Sequence, residues 1–97
     1  MKKYLEELPN TWFTKTQQVA IRGTPDYLAC INGVFVALEL KRSRKEKMTG
    51  TLQEHHIKHI NSSGGLGVFV FPENWEKMKD VLKAISQRGT YDKANLG

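Results

Sequence analysis

The segment GTPDYLACINGVFVALELKRS, residues 23–43, determines most of the predicted fold. Two apolar runs, residues 26–31 and 34–41, flank the dipeptide Asn32-Gly33. An Asn-Gly pair between apolar runs is a strong signal for a β-hairpin with a two-residue turn. We therefore predict two antiparallel strands at the centre of the fold.

The register of this hairpin brings three charged side chains together. A two-residue turn pairs Ile31 with Val34 and, further along, Asp26 with Glu39. Lys41 lies two residues beyond Glu39 and so points to the same face. Opposed carboxylates destabilise a sheet unless a cation neutralises them. Two carboxylates and water suit a hard divalent cation, so the pattern predicts an Mg²⁺ or Mn²⁺ site. A simpler alternative is a surface salt-bridge cluster at the open end of the hairpin.

The other elements are predicted from apolar periodicity and from start and stop signals. They are a helix over 2–8, a strand over 11–20, a helix over 51–63 that begins with the capping box TLQE, a strand over 67–71 and a helix from Trp75 to Gly89. The order is α-β-β-β-α-β-α. A right-handed βαβ crossover makes the last strand parallel to its neighbour. We predict an α/β fold with a mixed sheet, an antiparallel hairpin plus one parallel strand, flanked by helices.

Length and composition restrict the class of protein. The 97 residues predict a single domain, 1–97, with a loose tail at 90–97. No apolar run approaches the roughly 20 residues that span a bilayer, and the start of the chain lacks the apolar region of a signal peptide. Cys30 is the only cysteine, so no disulfide framework forms. We expect a cytoplasmic protein without a membrane partner, and we expect Cys30 to be a buried thiol.

A basic run follows the hairpin. The net charge is +5, and residues 41–47 carry five positive charges against one negative charge. A positive balance of this kind favours a polyanionic partner. The run is either a loop that grips phosphates or an ordinary solvated loop.

The motifs, taken in order, resemble a known nuclease family. PD at 25–26 followed by ELK at 39–41 resembles the signature of the PD-(D/E)XK nuclease superfamily. With the preceding Gly23, the Asn-Gly hairpin and LQ at 52–53, the set resembles the VRR-NUC family, in particular its small standalone phage and bacterial members. The similarity extends from about Leu5 to Ile85. It implies a restriction-endonuclease-like core and a metal-dependent endodeoxyribonuclease.

The resemblance also implies roles for individual residues. Asp26, Glu39 and the backbone carbonyl of Leu40 would bind Mg²⁺ or Mn²⁺, Lys41 would act beside the scissile phosphate, and Gln53 would support the site. The DNA-binding candidates are Lys15, Arg22, Arg42, Arg44, Lys45 and Lys47. The small standalone relatives imply a homodimer that resolves branched DNA, particularly four-way (Holliday) junctions, in the cytoplasm of a bacterial or phage-infected cell, with no small-molecule cofactor.

The N-terminus departs from the family pattern, which has a further glutamate in a longer N-terminal helix. Glu6 and Glu7 are the candidates here, Glu7 lying nearer the apolar side, and either one is also consistent with an ordinary surface acid.

Alternatives from other classes remain open. A basic nucleic-acid-binding module could keep the fold with little activity, and a generic nickase or flap nuclease would share the chemistry. A zinc-binding interaction domain could use the helical cluster His55, His56 and His59, although no third ligand lies in an obvious place. Trp75 belongs to an apolar helical stripe, whereas Trp12 is either a base-stacking or a packing residue.

Overall fold

The computed structural model describes residues 1–16, 22–92 and 96. The elements in chain order are α1 (Lys2–Glu7), β1 (Thr11–Lys15), β2 (Tyr27–Ile31), β3 (Val34–Leu40), α2 (Leu52–Ser62), β4 (Leu66–Val70), a single 3₁₀ turn (Pro72–Asn74) and α3 (Trp75–Arg88). The predicted element order is therefore confirmed, and the 3₁₀ turn is the one element in these ranges that was not predicted.

The four strands form one mixed sheet in the order β1-β2-β3-β4. The pairs β1–β2 and β2–β3 are antiparallel, whereas β3–β4 is parallel. Ile31 pairs with Val34 and Tyr27 with Leu38, which is the predicted register. Asn32 and Gly33 both have positive φ, at 46° and 83°, as a type I′ turn requires.

One face of the sheet holds the main core. Alternate residues of the strands, together with Leu5 of α1, pack against the apolar side of α3. The buried residues of α3 are Met78, Val81, Leu82, Ile85 and Ser86. The side chain of Ser86 donates to the carbonyl of Pro9, and that of Asn10 donates to the carbonyl of Ser86 at 3.1 Å. These bonds fix the connection between α1 and β1 to the last helix.

The opposite face is only partly covered. Helix α2 packs chiefly against β4, where a Cβ on Gly67 would lie 3.1 Å from the carbonyl oxygen of Ile57. The Asn61 side chain bridges the backbone N–H and carbonyl of Gly67 at 2.8 and 2.9 Å. Because α2 does not extend over β1 and β2, Cys30 is exposed. The expectation that Cys30 is a buried thiol was therefore wrong.

The ends of several elements differ from the predicted bounds. Strand β1 is described from Thr11 to Lys15, Thr16 is no longer part of it, and residues 17–20 of the strand predicted over 11–20 lie outside the described residues. In the predicted tail, Tyr91 is half-buried against the core, and residues 93–95 and 97 are likewise outside the described part. Gly89 ends α3 with φ 73°, as predicted for a C-cap.

No helix among the described residues is long and apolar enough to cross a membrane.

Candidate active site

Asp26 is held between two strands at the open end of the hairpin. It directly precedes β2, and its Oδ2 accepts a hydrogen bond of 2.8 Å from the backbone N–H of Leu40. Its carbonyl accepts a bond of 2.8 Å from the N–H of Thr16. The carboxylate is thereby fixed against the end of β3, beside the residue that follows Glu39. The side chain of Leu40 is 37% exposed, so this strand end lies at the surface.

Glu39 is a buried acid whose hydrogen bonding is incomplete. Only 6% of its surface is exposed, and its Oε1 is the one buried side-chain polar atom without a hydrogen-bond partner in the described part of the chain. Burial, and next the neighbouring Asp26 carboxylate, raise the pKa of Glu39 from 4.5 to about 7. The ammonium of Lys41 and the backbone N–H of Asp26 act in the opposite direction. Positive charge placed here would therefore stabilise the ionised form.

Lys41 supplies part of that charge. Its Nζ lies 3.9 Å from Glu39 Oε2 and 3.9 Å from Glu46 Oε1, and 5.7 Å from the centre of the Phe69 ring. The side chain of Lys41 is only 9% exposed, and its N–H donates to the carbonyl of Val70 at 2.8 Å. The ammonium is thus kept beside the two acids by packing as well as by charge.

Helix α2 follows the basic loop and carries Gln53 in its first turn. The Thr51 hydroxyl accepts from the N–H of Glu54 at 3.1 Å, which confirms the predicted N-cap. Glu54 reaches back to the N–H of Gly50 at 2.9 Å rather than to that of Thr51. Gln53 is half-buried in the first turn.

Gly23 allows the segment before Asp26 to approach α2 closely. Its φ is +79°, and a Cβ there would overlap the Cβ of Leu52 and lie 3.2 Å from the backbone nitrogen of Gln53. The Arg22 carbonyl also lies 3.0 Å from Nε2 of His56. In the sequence, the glycine before the Pro-Asp pair is the sole local signal of this close approach.

The basic loop leaves the site directly after Lys41. Glu46, which the sequence presented only as an offsetting charge, accepts from the N–H of Arg42 at 2.7 Å and contacts Lys41. The N–H of Arg44 donates to the Glu73 carboxylate at 3.3 Å, and the guanidinium lies 5.8 Å from the centre of the Phe71 ring. Residues 42, 44, 45 and 47 are exposed, and 97% of the Arg42 side chain is accessible.

Other predicted site residues lie apart from the acid pair. Glu7, at the last residue of α1, lines a cavity with Lys79 and Asp80 on the α3 side. Lys15 is paired with the buried Tyr27, which places it on the α3 face of the sheet, away from the acids. It is Met1, at the opposite end of α1 from Glu7, that lines a cavity with Leu40 and Lys41.

The three histidines lie side by side on α2. The ring centres of His55 and His56 are 5.5 Å apart, and those of His55 and His59 are 6.4 Å apart. Within the ranges 1–16 and 22–92, no group of three or more His, Cys, Asp or Glu side chains is arranged to hold a metal ion. A metal at the acid pair would therefore take two carboxylates and complete its shell with backbone or solvent oxygens.

No family model matches this chain, and neither a curated protein nor a solved structure matches it. The family resemblance rests on the motif residues alone.

Proposed function

We propose that the chain is an Mg²⁺- or Mn²⁺-dependent endonuclease with a restriction-endonuclease-like core, which hydrolyses phosphodiester bonds in branched DNA. The observation that supports this most directly is Glu39. A buried carboxyl group with an unpartnered oxygen, next to a second carboxylate and a lysine, is costly to a fold unless the group has another use.

The donor set fits a hard divalent cation. Asp26 and Glu39 offer carboxylate oxygens, and the Leu40 carbonyl lies between the motif residues. Oxygen ligands of this kind suit Mg²⁺ and Mn²⁺, whereas Zn²⁺ prefers thiolate and imidazole ligands, which Asp26, Glu39 and the Leu40 carbonyl do not supply. When bound, such a cation would polarise phosphoryl oxygens and lower the pKa of a coordinated water.

The chain's own side chains account for the rest of the chemistry. Lys41 keeps an ammonium close to the acids, where it would stabilise negative charge developing on a phosphate. Gln53, in the first turn of α2, would orient water or phosphate, as the family resemblance implies. Glu39 has to be ionised to serve as a ligand.

The substrate class follows from charge and from the family resemblance. The exposed cations Arg42, Arg44, Lys45 and Lys47 extend from the same strand end as Lys41, so they would bind the backbone of the strand being cut. Arg22, exposed beside α2, would add a further contact. The preference for four-way junctions, the homodimer and the cytoplasm of a bacterial or phage-infected cell come from the resemblance to the standalone VRR-NUC proteins.

The deciding experiment is cleavage of labelled four-way, flap, duplex and single-stranded DNA with and without Mn²⁺. We expect metal-dependent cleavage that is fastest on the four-way substrate. Lys41→Ala should lower the rate by about 10²–10³-fold, while Mn²⁺ binding measured by calorimetry persists.

The matched control is Lys58→Ala, which removes an exposed lysine of α2 that pairs only with Glu54 among the described residues. This variant should cut at the parental rate. Unimpaired cleavage by Lys41→Ala would overturn the assignment. DNA binding without cleavage of any substrate would favour the binding module instead.

A further inference from the structure

The part of the sheet that α2 leaves uncovered carries a row of exposed side chains. Trp12 pairs with Cys30, and Cys30 pairs with Phe35, so the three lie side by side across β1, β2 and β3. Trp12 is 65% exposed and Phe35 is 45% exposed, and the thiol of Cys30 is also exposed. Exposed aromatic side chains clustered on one face are typical of an interaction surface.

The same face contains a cavity. Its volume is about 360 Å³, and it lies between Phe35 and α2, where His56, His59, Ile60 and Gly65 line it. Neighbouring strands are about 4.8 Å apart, so Trp12 projects roughly 10 Å from Phe35, on the side away from the cavity. A projecting indole and a cavity large enough to receive it therefore lie next to each other on one surface.

We propose that this surface binds a second copy of the same chain. A two-fold axis parallel to the strands, passing between Trp12 and the cavity, would seat each Trp12 in the partner's cavity. Such an arrangement is self-complementary, as a closed dimer requires. Cys30 lies between the two features, so the two thiols would lie close to the axis.

The charges on this face favour a protein partner over DNA. The strand residues that share the face with Trp12 are, within the described ranges, Thr14, Leu28, Cys30, Phe35, Ala37, Glu39, Gly67 and Phe69. None is cationic, and the single acid, Glu39, is buried near the end of β3 away from the hairpin turn. The exposed cations of the basic loop lie beyond the C-terminal end of β3, at the opposite end of the sheet from the hairpin turn. Depletion of charge with enrichment of aromatic residues is the pattern of an interface core, whereas a phosphate-binding face needs Lys or Arg.

The proposed function includes a homodimer, and this surface gives that homodimer a location. The inference rests on the proposed function only for the biological use of the dimer. The association is measured without DNA or metal, so an inactive dimer would support the surface and contradict the nuclease. An active monomer would support the nuclease and contradict the surface.

The test is the mass of the full chain by sedimentation equilibrium over micromolar to millimolar concentrations. We expect a parent species of twice 11.1 kDa, which Trp12→Lys converts to a monomer with an unchanged circular dichroism spectrum. A short bismaleimide should link Cys30 to the partner's Cys30 in the parent. The control variant with Cys30→Ser and Lys83→Cys places the thiol on the exposed side of α3 and should not be linked.

Two results would overturn the inference. The first is a parent that stays monomeric at every concentration; if Trp12→Lys then lowers its DNA affinity, the face belongs to nucleic acid instead. The second is a dimer that persists in Trp12→Lys and is not linked through Cys30.

Discussion

At the scale of single residues, the chemistry of the site depends on the environment of Glu39. A carboxyl group at the surface would be ionised at neutral pH and would attract metal only weakly. Glu39 is instead buried beside Asp26, and its pKa rises to about 7. The same burial that makes the group a strong cation ligand also makes its charge unfavourable without a cation.

The first residue-scale prediction is that metal binding depends on pH. Because Glu39 must lose a proton to bind metal, the apparent Mn²⁺ affinity should fall about tenfold per pH unit below pH 7 and level off above it. Calorimetry at pH 6 in buffers of different ionisation enthalpy should detect about one proton released per metal ion. The control variant Glu46→Gln removes a neighbouring, half-exposed acid and should still release this proton on binding Mn²⁺. An affinity that is constant from pH 5.5 to 7.5 would contradict the role of Glu39.

The raised pKa of Glu39 also affects the free energy of unfolding of the metal-free protein. The unfolded chain ionises Glu39 near pH 4.5, whereas the folded chain does so near pH 7. The metal-free protein should therefore lose stability from this group as pH rises between these values, and the loss should be complete above pH 7. Relative to the parent, Glu39→Gln should gain stability over that interval, as urea unfolding at several pH values would show.

At the scale of elements, the connection between β3 and α2 carries the cations to the site. Glu46 ties its first turn to Lys41 and Arg42, while Arg44, Lys45 and Lys47 are exposed. Repulsion among these cations would favour a loop that is mobile until phosphate binds. The bonds of Glu46 show one acid offsetting that repulsion near the site.

Replacing Arg44, Lys45 and Lys47 with alanine should weaken DNA binding most at low salt. For each phosphate that the variant no longer binds, the slope of log K against log salt should fall by about 0.9 on duplex arms. Turnover at saturating DNA should change much less, because these side chains lie outside the acid pair. Binding isotherms at several salt concentrations measure the slope, and a slope equal to the parent's would mean that the loop is only a solvated surface.

A second element-scale prediction concerns the approach of Gly23 to α2. An alanine at Gly23 would keep a positive φ, and its Cβ would overlap Leu52. At Gly50 the φ is similar, +76°, but no atom lies within 4 Å of the new Cβ. We expect about 1 kcal/mol of lost stability for Gly50→Ala and about 1–3 kcal/mol more for Gly23→Ala. Equal losses in denaturant unfolding would show that the close approach is unimportant.

At the scale of the whole molecule, metal binding should be linked to stability. Only the folded chain brings Asp26 and Glu39 together, so millimolar Mn²⁺ should raise the melting temperature by mass action. Asp26→Asn relieves the repulsion and should be at least as stable as the metal-free parent, but its melting temperature should not respond to Mn²⁺. A parent that melts at the same temperature with and without Mn²⁺ would favour the binding-module alternative.

Features that depend on short-range geometry could be predicted from the residues alone. The Asn-Gly turn set the register of β2 and β3, and hence the alignment of Asp26 with the end of β3, because a two-residue turn permits a single pairing. The N-cap at Thr51 and the C-cap at Gly89 were equally local, since each depends on bonds within a single turn.

The burial of these residues depends instead on how distant segments pack. Glu39 and Cys30 share one face of the sheet, yet Glu39 is 6% exposed and Cys30 is exposed. The difference arises because α2 covers β4 and part of β3 but leaves β1 and β2 open, and its position depends on contacts such as Gly67 with Ile57. Periodicity identifies the residues of one face, whereas tertiary packing determines how much of that face water reaches.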